Sequence, residues 1–244
     1  KMPQEFNPPR HYIATANHGI YVIDDVVKLF NSGEGRFEKI NADTPFADGF
    51  IRNLAVDPLN PDILYALCTG TALEEDPTWT WTGVWKGVRS STGWTWKRTL
   101  ELERRINSDL QATVMGGKTA VVVAGRPRVP GAATGARSPD GHVYVSLDQA
   151  DSWKTILTRE QALKTRPAPH VTPTTELEMA GIGLADNHVF VSIIADEQKN
   201  GVAYLHGALS PDGSVTWQDF TENLYYPRAY RTNVVRENGE TWLY

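Results

Sequence analysis

The sequence predicts an all-β protein built as a ring of four-stranded sheets, the architecture called a β-propeller. Three observations support this fold class. Short runs of alternating or β-branched residues, bounded by Gly, Pro, Asn and Asp, recur along all 244 residues. No amphipathic helical stretch exceeds about three turns. An eight-residue frame also recurs at regular intervals, which indicates repeated structural units.

The recurring frame contains a tryptophan and, in its full form, a serine and an aspartate. Three segments share it: SLDQADSW (146–153), SPDGSVTW (210–217) and RSSTGWTW (89–96). Its aligned residues are Ser146, Asp148 and Trp153 in the first segment, Ser210, Asp212 and Trp217 in the second, and Gly93 and Trp96 in the third. A structural device is needed once per unit, whereas a catalytic constellation is not needed three times in one chain. The frame is therefore interpreted as a turn that holds two strands together.

Four units follow one another along the chain and are predicted to form one domain over residues 1–244. They span 11–46 together with 231–244, then 51–102, 110–159 and 179–224. The residues that close the units, Phe37, Trp96, Trp153 and Trp217, are spaced by 59, 57 and 64 positions, and the spacing across joined ends is also 64. The first unit lacks a first strand, which 231–244 can supply. We therefore expect 231–244 to pair with 11–24 and close the ring, since closure removes free sheet edges.

One helix interrupts the strands. The segment TREQALKT (158–165) contains good helix formers, and the proline-rich RPAPHVTP that follows it predicts a surface loop.

Composition excludes several classes of partner. The net charge is -5 and no basic run occurs, which argues against binding to nucleic acid or to anionic lipid. The single cysteine, Cys68, excludes an internal disulfide, and no Cys/His cluster has metal-ligand spacing, so no metal or cofactor is expected. No run approaches the roughly 18 apolar residues of a transmembrane helix. The chain opens with Lys1-Met-Pro rather than an initiator methionine, which suggests processing, and an exported protein is expected.

The frame resembles the Asp-box repeat of bacterial neuraminidases, Ser-x-Asp-x-Gly-x-Thr-Trp. The segment LAVDPLNPDILYA (54–66) is similar to a companion pattern of sortilin-like and xyloglucanase-like propellers. The resemblance implies that each box is the turn between the third and fourth strands of a sheet, away from the active face. The serine and aspartate then bond backbone N–H groups, and the tryptophan packs between sheets. It also leaves room for a larger ring, completed by further residues or by a second copy.

Two connections are longer than a hairpin needs, which favours a functional role. The first, 68–83, contains Glu75, Trp79 and Trp81, an aromatic platform beside hydrogen-bond acceptors that suits a sugar or a protein. The second, 125–141, contains Arg126 and Arg128, which suit a carboxylate. The alternative for both is structural: strand tryptophans, a solvated acidic turn and a variable basic loop.

These features favour a non-catalytic binding or scaffolding module that recognises a protein or a glycan through its loop face. One alternative is a glycoside hydrolase of the sialidase-like or xyloglucanase-like type, and another is an accessory subunit of a larger complex. The sialidase family's Arg-Ile-Pro motif is absent. A xyloglucanase-like site needs two facing carboxylates, and the resemblance places one near Ala16 and Asn17, which are not acids. No catalytic residue is therefore predicted.

Overall fold

The computed structural model describes residues 10–69, 81–103, 108–127, 140–168, 171–195, 200–221, 234–237 and 240–243. Within these residues the chain forms seventeen strands and two short helices. The strands make three antiparallel four-stranded sheets, one of three strands and one of two. The predicted all-β class with four-stranded propeller sheets is thus confirmed.

The sheets follow the chain, each in simple sequential order. The first contains β1 (His11–Ala14), β2 (Ile20–Ile23) and β3 (Glu38–Lys39). The second contains β4 (Ile51–Val56), β5 (Ile63–Cys68), β6 (Gly83–Ser90) and β7 (Gly93–Glu101). The third contains β8 (Asp109–Met115), β9 (Lys118–Gly125), β10 (His142–Ser146) and β11 (Lys154–Leu157). The fourth contains β12 (Leu177–Ala185), β13 (His188–Ala195), β14 (Asn200–Leu209) and β15 (Val215–Asp219). The fifth contains β16 (Val234–Glu237) and β17 (Glu240–Leu243).

The hydrophobic core consists of layers between successive sheets. One layer lies between the first and second sheets, one between the second and third, and the largest between the third and fourth. Strand β5 contributes to two of them, because Ile63, Tyr65 and Leu67 point to one layer while Leu64 and Ala66 point to the other. Such a strand is apolar at every position, which explains the continuous run ILYALC.

The first strands of successive sheets, β4, β8, β12 and β16, lie side by side, as they do around the axis of a propeller. Polar side chains join them. The Asn53 amide donates to Asp109 Oδ1 at 2.5 Å, and Asp109 Oδ2 accepts the Ile182 backbone N–H at 2.9 Å. The Gln111 amide donates to the Ile182 carbonyl at 2.5 Å. Buried Asp109 therefore connects three neighbouring sheets.

The turn between β4 and β5 is organised by Asp57, which is buried. Its carboxylate accepts the backbone N–H groups of Leu59 and Asn60 at 2.8 and 3.0 Å. It also accepts the hydroxyls of Tyr65 at 2.5 Å and of Thr119, on β9 of the third sheet, at 2.7 Å. Burial and the adjacent carboxylate raise the pKa of Tyr65 above its usual range.

The turn at 146–153 is held by its own side chains. The Ser146 hydroxyl donates to Asp148 Oδ1 at 2.7 Å and accepts the Ala150 N–H at 2.8 Å. Asp148 accepts the backbone N–H and the hydroxyl of Ser152 at 2.9 and 2.5 Å. In the turn at 210–217, Asp212 accepts the N–H and the hydroxyl of Ser214 at 2.9 and 2.7 Å.

The predicted closure of the ring by strand pairing is not formed among the described residues. Strand β16 pairs with β17 in a separate sheet, while β1 pairs with β2 only. Strand β16 instead lies beside β12, the position expected of a first strand in the next sheet. The physical reason is local: β16 and β17 flank the dipeptide Asn238-Gly239, a sequence strongly favoured in two-residue hairpin turns. A hairpin across two residues closes more readily than a pairing between chain ends.

The predicted helix at 158–165 is confirmed as α2 (Arg159–Thr165), which begins with a capping box between Thr158 and Gln161. A second helix, α1 (Val26–Ser32), was not predicted. Asp25 caps it by accepting the Lys28 N–H at 2.8 Å, and Gly33 ends it with a left-handed φ of 68°. No described helix is long and apolar enough to cross a membrane.

Candidate functional site

The two long connections leave the same face of the sheets, where each second strand ends and each third strand begins. The first joins β5 to β6 and the second joins β9 to β10. Three further segments enter first strands from this face, namely those before β4, β8 and β12. We call this side the loop face.

The bases of the two long connections are joined to each other. Thr82, at the end of the first, donates its hydroxyl to the Leu102 carbonyl at 2.5 Å. Leu102 in turn forms a β-bridge with Pro127, and the Glu103 N–H donates to the Arg126 carbonyl at 2.8 Å. The segment 102–103 thus holds both connections at one place on the loop face.

Of the residues predicted for the first connection, only Trp81 is described; Glu75 and Trp79 lie outside the described residues. Trp81 is half-buried and packs against the core layer between the first and second sheets. A Cβ atom at Gly49 would lie 2.7 Å from its ring, so the ring rests on that backbone. Its carbonyl accepts the Trp85 indole N–H at 2.7 Å. Trp81 therefore anchors the base of the connection, and its proposed contact with a ligand stays a prediction.

Arg126 begins the second connection and is buried, with a relative exposure of 1%. Its Nη2 donates to Glu176 Oε2 at 3.0 Å and to Glu178 Oε1 at 3.2 Å. Glu176 lies in the segment that enters β12, and Glu178 lies within β12. Arg128, the other arginine predicted here, lies outside the described residues.

A second arginine adds to this group of charges. Arg159 of α2 donates to Asp140 at 2.9 Å and to the carbonyls of Thr175 and Thr172, each at 2.6 Å. Asp140 forms a parallel bridge with Leu177, next to Glu176. We call Arg126, Asp140, Arg159, Glu176 and Glu178 the loop-face ion cluster. It sits at both ends of the second long connection, where β9 ends and β10 begins.

The exposure of the cluster is graded. The side chains of Arg126 and Glu178 are 2% and 4% exposed, whereas those of Glu176 and Asp140 are 22% and 28% exposed. A buried charge must be paired, and the buried arginine and glutamate pair with each other. The more exposed carboxylates can accept hydrogen bonds from a molecule that approaches the loop face.

The two glutamates are close enough to act on one ligand. Because Glu176 and Glu178 each bond the same Arg126 nitrogen, their bonded oxygens lie within roughly 6 Å of one another. Sequence analysis missed both, although the segment TTELEM places two glutamates at alternate positions at the start of a buried strand. An acidic residue in a buried strand indicates a paired charge, because a carboxylate is rarely buried without a partner.

The remaining predicted residues lie away from the loop face. Ser146, Asp148, Ser210, Asp212 and Gly93 lie at the turns at the opposite ends of the strands. The indole N–H groups of Trp153 and Trp217 donate to the outer strand of the preceding sheet, and that of Trp96 donates to Ile40, the residue after β3. Among the described residues no group of three His, Cys, Asp or Glu side chains can hold a metal ion.

Comparisons with known proteins support the fold. No protein-family model matches this sequence, and no curated protein matches it either. Among solved structures, an ancestral GH74 enzyme superposes on 97% of this chain with a TM-score of 0.78 at 20% identity. The chain shares its fold with part of that enzyme. It spans 31% of that enzyme's length.

Weaker similarities extend to two other enzymes. A GH74 enzyme from Niastella koreensis gives a TM-score of 0.38 at 14% identity, over 88% of this chain and 36% of that one. A Trypanosoma rangeli sialidase in complex with 2,3-difluorosialic acid gives 0.45 at 12% identity, over 93% of this chain and 38% of that one.

Proposed function

We propose that this chain is the polysaccharide-binding part of a carbohydrate-active β-propeller protein and that it binds its glycan on the loop face. The observation that carries the proposal is the convergence of the two long connections, through Leu102 and Glu103, beside a cluster with partly exposed carboxylates. Long connections on a rigid scaffold are favoured sites of recognition.

The chemistry of the cluster suits sugar hydroxyls. The carboxylates of Glu176 and Asp140 accept hydrogen bonds, and Arg126 and Arg159 hold them in fixed positions. Binding to side chains that are already held in place costs less conformational entropy than binding to side chains that must first be ordered. The tryptophans predicted in the first connection, Trp79 and Trp81, supply an apolar surface for sugar rings in the same proposal, and Glu75 and Arg128 supply further polar contacts.

A second candidate function is hydrolysis of the glycan. The bonded oxygens of the two carboxylates lie no more than about 6 Å apart, so both can contact one glycosidic bond, as the carboxylate pair of a glycoside hydrolase does. The similarity to an ancestral GH74 enzyme also favours this candidate. Both glutamates accept bonds from the same guanidinium, so a general acid has to come from another part of the protein.

The chain spans less than a third of the GH74 enzyme that it resembles in fold. We therefore propose that it works within a larger protein or assembly, in which other segments contribute to the glycan site. We also propose that the protein is exported and that its glycan is an extracellular polysaccharide.

Calorimetric titration with neutral and sialylated oligosaccharides tests the proposal. Glu176→Gln preserves shape and removes the charge, and we expect it to weaken binding at the loop face by about tenfold or more, the magnitude of a charged hydrogen bond. The matched control is Glu160→Gln on α2, an exposed glutamate outside the cluster, which should bind as the wild type does. Unchanged binding by Glu176→Gln would refute the loop-face site.

The same variants separate binding from hydrolysis. New reducing ends that the wild type releases and that Glu176→Gln and Glu178→Gln do not release would establish the hydrolase function. Binding without any product would establish a binding function for this chain.

A further inference from the structure

A separate cleft of about 320 Å³ lies between the outer strands of the first and second sheets. Trp85, Trp94 and Trp96 form one wall. The residues that follow β3, Ile40 to Pro45, form the opposite wall. Its volume falls at the lower end of the range of small-molecule sites, about 300–1,000 Å³.

The three tryptophans have different roles in the fold. Trp85 is nearly buried and packs on Phe46, with ring centroids 4.5 Å apart. Trp96 donates its indole N–H to the Ile40 carbonyl at 2.8 Å, which joins the two sheets. A Cβ atom at Gly87 would lie 2.7 Å from the Trp96 ring, so the ring lies directly on that strand. These two residues are needed for packing.

Trp94 packs edge-on against Tyr12, with ring centroids 5.8 Å apart, but the repeated frame does not require a tryptophan at its position. It occupies the position between the glycine and the threonine, where the other two turns have Asp151 and Val215. The turn therefore forms without a tryptophan at this position. Trp94 is only half-buried and lies nearly parallel to Trp96, at 5.9 Å between centroids and an angle of 23°. Together they extend the apolar wall to the surface.

The polar groups around this wall are available to a ligand. Asp43 and Glu38 are exposed, and neither side chain bonds another described residue. The Trp94 indole N–H likewise has no hydrogen-bond partner within the described part of the chain. The one cation of the lining, Lys39, is paired with Asp48 at 2.7 Å. The cleft thus combines an aromatic wall with two free acceptors and one free donor, and its rim is acidic.

We propose that this cleft is a second carbohydrate site that binds a neutral oligosaccharide, separate from the loop face. The class of ligand rests on the proposed function, while the location rests on the cleft alone. Sugar rings present apolar C–H faces to the tryptophan wall, and their hydroxyls donate to Asp43 and Glu38. An anionic glycan is disfavoured, since its carboxylates would meet two like charges.

The site is tested by calorimetric titration of the protein with cellohexaose. Hexagalacturonic acid serves as an anionic probe of equal length. Trp94→Val copies Val215 of the fourth sheet, so the fold should be retained, and the dissociation constant at the cleft should rise about tenfold or more. The tryptophan fluorescence change on binding should be lost with it. Asp43→Asn should raise the constant about threefold to tenfold, while Glu160→Gln should not change it.

The experiment distinguishes failure of the cleft proposal from failure of the loop-face proposal. An isotherm of Trp94→Val identical to that of the wild type overturns the cleft proposal, whatever the loop-face variants show. An isotherm of Glu176→Gln identical to that of the wild type overturns the loop face and leaves the cleft standing. Equal or tighter binding of hexagalacturonic acid at the cleft also overturns it. If Trp94→Val does not fold, Asp43→Asn decides.

Discussion

The indole N–H of Trp217 donates to the Ile156 carbonyl at 2.7 Å, across the boundary between the third and fourth sheets. Trp96 repeats this bond two boundaries earlier, between the first and second sheets, by donating to the Ile40 carbonyl at 2.8 Å. At the boundary between them, Trp153 donates to the Thr99 hydroxyl at a longer 3.4 Å. The tryptophan of each frame therefore forms a hydrogen bond between two sheets in addition to packing between them.

This relationship predicts that the N–H group of Trp217 contributes to stability apart from its ring. We expect Trp217→Phe to lower the free energy of unfolding by about 1–3 kcal/mol, since it removes the indole donor to the carbonyl of buried Ile156 and removes part of the ring. Trp153→Phe is the matched control and should lose less, because its bond is long. Denaturant unfolding followed by circular dichroism measures both; equal losses would contradict the role of the bond.

Asp148 should make stability depend on pH in the acidic range. Burial opposes its ionisation, but bonds from Ser152 and Ser146 outweigh burial and lower the pKa of Asp148 below its usual 3.8. A carboxyl with a lowered pKa in the folded state stabilises the fold above the unfolded pKa, and this contribution is lost as the pH falls through the folded value.

We therefore expect Asp148→Ala to cost about 1–3 kcal/mol at neutral pH, through the turn donors left unsatisfied. The difference from the wild type should shrink as the pH falls from about 5 through 3.8 and below. Unfolding curves at several pH values measure it. A difference that does not vary with pH would show that the carboxylate charge has no part in the turn.

The repeating part of the fold could be predicted from the sequence because the turn residues of each unit lie within a few positions of one another. The frame residues mark the turns, and the short strand runs between them indicate sequential antiparallel pairing without long-range information. Two local signals were overlooked. Asp25 caps the start of α1 and Gly33 ends it. The dipeptide Asn238-Gly239 favours the β16–β17 hairpin over pairing of the chain ends.

The candidate sites depend on contacts that sequence patterns do not encode. Arg126 meets Glu176 and Glu178 across 50 and 52 positions, only because the end of β9 lies next to the start of β12. The tryptophan cleft likewise needs β7 to approach the segment after β3. The sequence identified Arg126 and Trp96 individually, but their partners follow from how the sheets stack.

Close packing predicts an effect for Gly207, which faces Trp217 across β14 and β15. A Cβ atom there would lie 2.4 Å from Val215 and 2.9 Å from the Trp217 ring. Gly207→Ala should therefore destabilise by about 1–3 kcal/mol through overpacking. Val215→Ala in the same chain should recover part of the loss. Thermal melting of both variants tests this, and a stabilised Gly207→Ala would show that the sheets move apart at little cost.

The buried ion pair of Arg126 and Glu178 gives the sharpest test of the loop-face ion cluster. Arg126→Met fills the space but leaves Glu178, whose side chain is 4% exposed, without the guanidinium that bonds it. Removing one partner of a buried pair costs about 3–5 kcal/mol, whereas replacing both partners is often close to neutral. Arg126→Met combined with Glu178→Leu should thus be more stable than Arg126→Met alone.

Glu176→Gln should cost less than either single change at the buried pair, because Glu176 is 22% exposed and water can solvate it. Denaturant unfolding of the four variants measures the coupling energy. If the double variant loses the sum of its two single losses, the pair is not coupled and Arg126 does not hold the carboxylates of the loop face in place.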